Sequence, residues 1–491
     1  MPRSGFGEAS AVPVLLAAVL LLLTVASAQA APGQFDPTFG KRGVVTTGIG
    51  ESAGALAVGL QPDGKIVVAG AGNIHCGDPC QATFALARYK PSGSLDRSFG
   101  TAGVVTTRFA GDDGAQDLAL QANGQIVAAG AAFDGASSSQ FGLARYNSDG
   151  SLDAAFGVGG KLTTAVGDRS GANALAIQPD GKLVAAGFGS QGNSSVFALV
   201  RYDTDGSLDP SFGSGGVVTT AIGADSEATG VALQPDGKII LAGFSDGNFA
   251  LTRYETNGSL DATFGAQGKV VTSFSSKTDV AYGVALQRDG EVVAVGEEGG
   301  FNPVGHPALA RYESNGSLDP TFGQNGKVTE AGPGHAYAVA LGPHGKIITA
   351  GMRYSGGLTN FSMARFNHDG SRDPKMADGR LAGRLGINAS ASDLVLEPDN
   401  KVIGVGSALE RFAVVRYLSG SERCVVPKLK DKRLAKAKRS IRRTYCSLGS
   451  VRRTFSGKFA RGRVISQRPK HGTRRPVGAK VRLVVSKGKR R

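Results

Sequence analysis

One pattern recurs seven times along this chain: an apolar run, a tight-turn signal and a second apolar run. It reads VGLQPDGKIV from Val58, LALQANGQIV from Leu118, LAIQPDGKLV from Leu175 and VALQPDGKII from Val231. It returns as VALQRDGEVV from Val284, VALGPHGKII from Val339 and LVLEPDNKVI from Leu394. The fourth position (Gln61, Gln121, Gln178, Gln234, Gln287, Gly342, Glu397) recurs every 53 to 60 residues. An Arg–aromatic pair follows each time, from Arg88-Tyr89 through Arg201-Tyr202 to Arg416-Tyr417, and then GSLDPTFG and GVVTT or variants of them. Such a period marks a repeat architecture, in which each unit buries its faces only against its neighbours.

Each unit holds four strand-length runs separated by turn chemistry. In the fourth they are GVALQ (Gly230 to Gln234), KIILAG (Lys238 to Gly243), FALTRY (Phe249 to Tyr254) and KVVTS (Lys269 to Ser273). Pro-Asp-Gly between the first two is a hairpin turn, with glycine supplying the positive φ. The second run is apolar at successive positions, which marks a strand covered on both faces. The expected fold is mainly β: a seven-bladed β-propeller of four-stranded blades, followed by a small α+β domain. A β-solenoid is the rival, but its coils repeat over far fewer residues. Alanine and glycine crowd the first runs, where blades converge near the axis, while Phe212, Phe264 and Phe322 lie where blades splay. GVVTT at Gly43–Thr47 precedes any complete hairpin, and the last RFAVVRY (Arg411–Tyr417) has no such run after it. The N-terminal strand is therefore expected to pair beside Phe412–Tyr417 and close the ring.

The chain begins with Arg3, an apolar stretch from Val12 to Val25 and the small-residue site Ala28-Gln29-Ala30. That is a secretory signal cut after Ala30, and the stretch is short of the roughly 20 apolar residues that span a bilayer. Charge is uneven. From Glu422 onward there are 25 Lys/Arg against Glu422 and Asp431 alone, a net of +23, whereas the rest carries 30 basic and 38 acidic residues. The division is residues 1–30 signal, 31–420 propeller and 421–491 basic domain.

The units resemble the delta-60 repeat, a secreted bacterial β-propeller family, over roughly Phe35 to Tyr417, through the grammar LDxxFG…GVVTT…LQPDGKIVVAG…FALARY. The seventh unit departs from it, with SRDPKMADGRLAG in place of SLDPTFGxxGVVTT. The resemblance implies a fold and no chemistry. The stretch Cys424–Gly488 resembles a PASTA domain. The matching elements are Val426-Pro427-x-Leu429, a helix with Leu434, Ala437, Ile441 and Tyr445 on one stripe, Val464-Ile465-Ser466-Gln467-x-Pro469, Gly472-Thr473, Gly478 and Val484–Gly488. That resemblance implies binding of peptidoglycan or related wall fragments.

Cys424 and Cys446 bracket the helix, and in an exported domain they read as a disulfide worth roughly 3 kcal/mol. In HCGDPC (His75 to Cys80) a metal would lack a fourth ligand, so a local Cys76–Cys80 staple is preferred. The repeated Arg and Asp, such as Arg201 and Asp209, occur in every unit, and one active site has no need of seven copies. A buried ion pair fastening each unit explains them. DTDGSLD (Asp203 to Asp209) resembles a calcium loop, but its counterpart KPSGSLD begins with Lys90, so turn chemistry is the better account. GFGSQG (Gly187 to Gly192) and GFSDG (Gly243 to Gly247) mimic a dinucleotide fingerprint and a nucleophile elbow, both of which need a following helix. The six histidines are scattered, and none pairs with a carboxylate motif. No catalytic, cofactor or metal residue is assigned. The loop joining second and third strands varies, from five residues (Phe244–Asn248) to thirteen (Ala71–Thr83) and EEGGFNPVGH in the fifth unit. Variable loops on a rigid scaffold are where binding resides.

The expected function is an exported, non-enzymatic wall-associated protein without cofactors. Its basic domain docks on peptidoglycan or an anionic wall polymer, and its loops present an unknown ligand site. The alternative is a propeller hydrolase or lyase acting on wall glycans. A nucleic-acid partner suits the charge, but export argues against it, and no membrane span is expected after signal cleavage.

Overall fold

The computed structural model describes residues 34–490 apart from 77–79, 134–137, 302–303, 374–384, 386–387, 419–423, 443–445 and 476–478. The signal segment lies outside the described residues. Seven antiparallel sheets follow one another along the chain. The first five have four strands each, and the fourth is typical: Ser226–Leu233, Ile239–Ser245, Asn248–Tyr254 and Lys269–Thr272 in order. This is an arrangement of repeated four-stranded sheets consistent with a β-propeller. The sixth sheet shows three strands among the described residues. The stretch SRDPKMADGRLAG follows the third strand of the sixth sheet, Leu358–Phe366, in the chain and not, as expected, that of the seventh, and from residue 374 it lies outside the described residues.

Local chemistry explains the first hairpin of each unit. In Gln234–Lys238 the Gly237 amide donates to the Gln234 carbonyl at 2.9 Å and Gln234 N–H to Lys238 O at 2.8 Å. Gly237 takes φ +87°, and the seventh unit puts Asn400 at φ 67° in its place, the residue that best tolerates this conformation after glycine. Every innermost strand also carries a β-bulge, between Ala228 and Gly230 in the fourth sheet. Opposite each bulge stands a glycine. A Cβ on Gly243 would lie 1.9 Å from the Glu227 carbonyl oxygen, so the close approach there requires glycine.

The core lies between sheets. The second strand Ile239–Ser245 is buried at nearly every position. Its Ile239 and Leu241 pack with Val184, Ala186, Leu199 and Phe212 of the preceding unit, while Ile240 and Ala242 pack with Val292 and Ala294 of the next. The seventh sheet packs back on the first through Ile403, Val405, Phe412 and Val414 against Ala55, Val58, Ile66 and Val68.

The seventh sheet is built from both ends of the chain. Val44–Thr47 pairs with Arg411–Leu418 in the register Val44↔Val415 to Thr47↔Phe412, and Gln34–Phe35 pairs with Leu418 and Tyr417 of the same strand. Thr47, Thr107, Thr164, Thr220 and Thr272 each accept a hydrogen bond from the next sheet's tyrosine, as from Tyr89 Oη to Thr47 Oγ1 at 2.8 Å.

The C-terminal domain has its own core of Val426, Leu429, Ala437, Ile441, Val464, Val481, Leu483 and Val485. The helix spans Leu434–Arg442, and Tyr445 lies outside the described residues. Strands Val464–Arg468 and Lys480–Ser486 form where the apolar runs place them. A strand the sequence does not announce, Ser447–Thr454, pairs parallel to Lys480–Ser486. Its apolar content is only Leu448 and Val451, so alternation gives little signal.

Asp36 and Arg416 meet across the junction of the chain ends, Nε to Oδ2 at 2.9 Å, and both are buried. Removing one partner of a buried pair costs about 3 kcal/mol or more. Asp36→Ala is expected to lower stability by about that amount in urea denaturation, tempered by Glu397 at 3.5 Å from Arg416. A change under 1 kcal/mol would contradict the closure role.

Candidate functional site

The repeated Arg–Asp pair is structural in every unit. Nε of Arg88, Arg145, Arg201, Arg253, Arg311, Arg365 and Arg416 donates to Asp96, Asp153, Asp209, Asp261, Asp319, Asp373 and Asp36 at 2.7–3.1 Å. Each of six guanidiniums also lies 4.2–4.7 Å from a phenylalanine ring, Arg201 over Phe212 among them. A second arm crosses to the following unit: Arg201 Nη1 donates to Thr256 O at 2.6 Å, and Arg416 Nη1 to Pro91 O at 2.7 Å. Burial works against the charge of Asp96, but Ser98, Arg88 and Lys65 together hold its carboxyl down at about 2. These carboxylates are spent on the scaffold.

The other motifs resolve in the same way. Gly187–Gly192 and Gly243–Gly247 lie in hairpins between strands, where no helix follows. In DTDGSLD, Asp205 accepts from its own Ser207 amide and hydroxyl at 2.9 and 2.7 Å, and Asp203 holds Lys182 at 2.5 Å, so the loop is a turn. Asp289, Glu291 and His368 come within metal-binding distance of one another. The Arg311 guanidinium stands 3.2 Å from His368 Nδ1, a cation where a metal would need an open ligand.

The variable loops are largely strands. Ile66–Cys76 and Cys80–Tyr89 extend the first unit's hairpin, with Cys76 and Cys80 directly paired in register. Val292–Phe301 and Val304–Tyr312 do the same in the fifth. The fourth unit closes with only Asp246-Gly247 between its strands. The thirteen- and five-residue loops expected from the sequence are thus hairpins of different length, because backbone pairing continues wherever the register allows it. The side chains of His75, Cys76 and Cys80, and so the Cys76–Cys80 staple, fall outside the described residues. Buried Cys446 is disulfide-bonded, whereas the Cys424 side chain is not among those described.

At this hairpin face, between fifth and sixth sheets, lies a cluster that no sequence motif announces: a histidine meets a carboxylate. Glu297 is wholly buried, and its Oε2 contacts His335 Nδ1, itself only 3% exposed. Tyr282 Oη donates to Glu297 Oε1 at 3.0 Å. Tyr337 stacks on His335 with ring centres 5.5 Å apart, Tyr282 meets Tyr337 at 5.0 Å, and Tyr354 approaches His335 edge-on at 6.0 Å. Burial and the adjacent Glu297 push the Tyr282 hydroxyl well above its ordinary pKa. Tyr282 and Tyr337 are the bulge residues of their strands, and all three tyrosines are half-buried. The equivalents of Glu297 are Ala71, Ala131, Phe188, Phe244, Met352 and Ser407, so this acid is peculiar to one unit. Aligning the repeats and asking where a polar residue replaces an apolar one would have found it.

Two further carboxylates sit on innermost strands. Asp393 Oδ2 accepts from Val58 N at 2.8 Å and Asp117 Oδ2 from Leu175 N at 2.7 Å, each binding the next sheet's strand. Burial, and for Asp117 also the charge of Asp393, push them up to about 7 (Asp117) and about 6 (Asp393).

The fold defines a class: a ring of repeated four-stranded sheets joined to a small basic α+β domain. Sequence comparison identifies the members. The family described as "Domain of unknown function (DUF5122) beta-propeller" matches at residues 61–99, 121–156, 178–212, 234–264, 287–322 and 343–375, and the PASTA domain family at 425–487. The chain therefore carries DUF5122 β-propeller repeats with a C-terminal PASTA domain. The matches stop at six, and the remaining unit is the one assembled from both chain ends. No curated protein matches. Among solved structures, virginiamycin B lyase from Staphylococcus aureus is similar with TM-score 0.49 at 10% identity, over 76% of this chain and 99% of that one. Sqt1 from Chaetomium thermophilum is similar with TM-score 0.42 at 13%, over 77% and 100%. A protein of unknown function from Dyadobacter fermentans has TM-score 0.40 at 13%, over 78% and 99%.

Glu297→Ala is expected to strip Tyr282 of its acceptor and His335 of its carboxylate neighbour, and to destabilise the fold by about 3 kcal/mol, read by chemical denaturation. Because the fold raises both aspartate values, the protonated carboxyls are the favoured forms. Stability present below the ordinary carboxylate range is lost as pH rises through about 6 and 7. The fall in Tm from pH 5 to 8 should accordingly be shallower in Asp117→Asn than in the parent protein, and an equal slope would refute the assignment.

Proposed function

We propose that the protein is an exported, non-enzymatic wall-associated binding protein. Its repeats form a closed seven-bladed wheel whose hairpin face receives a ligand or partner, and its PASTA domain docks on peptidoglycan or an anionic wall polymer. The observation that carries this reading is the PASTA match over 425–487 on a domain with a net charge of +23. PASTA domains bind peptidoglycan-related ligands. Among the described residues no helix is long and apolar enough to cross a membrane. The Cys424–Cys446 bond belongs to the same reading: Cys446 is already disulfide-bonded, and an oxidising compartment favours such a staple in so small a domain.

A hydrolase or lyase acting on wall glycans would draw on Tyr282, Glu297 and His335. Glu297 is wholly buried, with the Tyr282 hydroxyl on one oxygen and His335 against the other, which suits a group that braces the aromatic wall better than one that meets a substrate.

The test is retention on purified peptidoglycan sacculi, comparing the full chain with a form ending at residue 423. The full chain should be retained and the shortened form largely lost, with retention falling as salt screens the attraction. Equal retention of both forms would reject the docking role.

A further inference from the structure

The three-stranded sheet of the PASTA domain has two unlike sides. Val481, Leu483 and Val485 point into the core with Ala437 and Ile441 of the helix. By alternation, Lys480, Arg482 and Val484 point to the other side, where Lys480 and Arg482 are exposed. Register brings further cations beside them. Arg468 stands directly opposite Arg482, and Arg452 pairs with Val484, two positions further along the same strand. Both are exposed. Gly449 lies against this group: a Cβ there would come 3.2 Å from Arg482 Cγ and 3.3 Å from Lys480 Cβ, so its missing side chain leaves the two stems room.

Like charges directly opposite on a sheet repel, and natural sheets balance them with acids. Here there is none. From Cys424 onward the only acid is Asp431, and it is paired with Arg463 at 3.3 Å. Among the described residues, none of Arg452, Arg468, Lys480 and Arg482 has a carboxylate partner. A bare cationic face on an otherwise well-packed domain is complementary to a polyanion. Three of the four cations are arginines, whose planar fork matches phosphate oxygens in pairs. The face is about 10 Å across, from strand spacings of about 4.8 Å, and the domain's helix packs on the opposite, apolar side, so it is not presented from this face to a duplex groove.

We propose that this face, Arg452, Arg468, Lys480 and Arg482, is the docking surface for an extended phosphodiester polymer of the cell envelope. The proposal rests on the wall-associated reading above and names the polymer chemistry that the domain grips.

The test uses the full chain and fluorescently labelled polyglycerol phosphate, titrated by anisotropy across a salt series. The double variant R468Q/R482Q should weaken binding at least tenfold at 0.1 M salt. Each lost phosphate contact takes about 0.7 from the slope of log K against log salt, so the slope should fall by about 1.4. Its Tm should stay level or rise, since a repulsive pair has gone, which separates lost binding from lost folding. Unchanged affinity and slope would overturn the proposal. So would binding to polygalacturonate or duplex DNA as tight as to polyglycerol phosphate at equal charge concentration. Retention on sacculi stripped of phosphate polymers, undiminished by the double variant, would leave wall docking standing and sink this surface.

Discussion

The fold depends on the Arg–aromatic pair at the end of each third strand. Successive residues of a strand face opposite sides, so the two side chains are sent to different neighbours. Arg201 reaches forward to the Thr256 carbonyl of the following unit, and Tyr202 reaches back to Thr164 of the preceding one at 2.9 Å. The first five units thereby hold both neighbours with one dipeptide, whereas the sixth has Phe366 and the Tyr417 hydroxyl of the seventh makes no hydrogen bond among the described residues. The arginine stays charged while buried because its own unit supplies Asp209 at Nε and the Phe212 ring beneath it. The same device works between residues 380 apart in sequence, where Asp36 serves Arg416. Closure therefore needs no special chemistry, only the repeat's own clamp split between the two chain ends.

Against this regularity, the fifth and sixth units stand out. Elsewhere the innermost bulge positions hold Leu56, Gln116, Asn173, Thr229 and Ser392, and Thr229 Oγ1 links two sheets by donating to the Ala281 carbonyl at 2.7 Å. In these two units the same positions hold Tyr282 and Tyr337, backed by the buried Glu297–His335 contact. Burying an acid is costly unless it is engaged, and here Tyr282 donates to one oxygen while His335 lies against the other. The result is a fixed aromatic wall at the hairpin face, on one side of the ring only. A symmetric scaffold acquires a distinct place by changing residues in two adjacent units.

The C-terminal domain uses charge differently. In the ring, each buried arginine of the repeated pair is answered by an acid, eight residues on in six units and from the far end of the repeats for Arg416. In the PASTA domain the cations lie outside, the core is wholly apolar, and repulsion across Arg468 and Arg482 is left standing in water. Such repulsion is tolerable at the surface because solvent and salt weaken it. It also keeps the face free for a partner of opposite charge.

Repetition made much of the architecture legible. The hairpin turns, the doubly covered second strand, the buried Arg–Asp pairs and the pairing of Val44–Thr47 beside Arg411–Leu418 all follow from short-range patterns written many times over. What escaped was non-repetitive. Ser447–Thr454 has too few apolar residues to announce a strand, and the long first and fifth hairpins looked like loops because glycine and polar residues interrupt their alternation. The Glu297–His335 contact joins residues 38 apart on two different sheets, and sequence spacing carries no information about such a meeting. By itself the sequence determined which segments become strands and which groups each unit must neutralise, since those depend on neighbours along the chain. Only the tertiary structure decided that His335 would meet Glu297 and that Arg468 would face Arg482. Both depend on register and on which sheet packs against which, and these are settled only when the ring and the small sheet assemble.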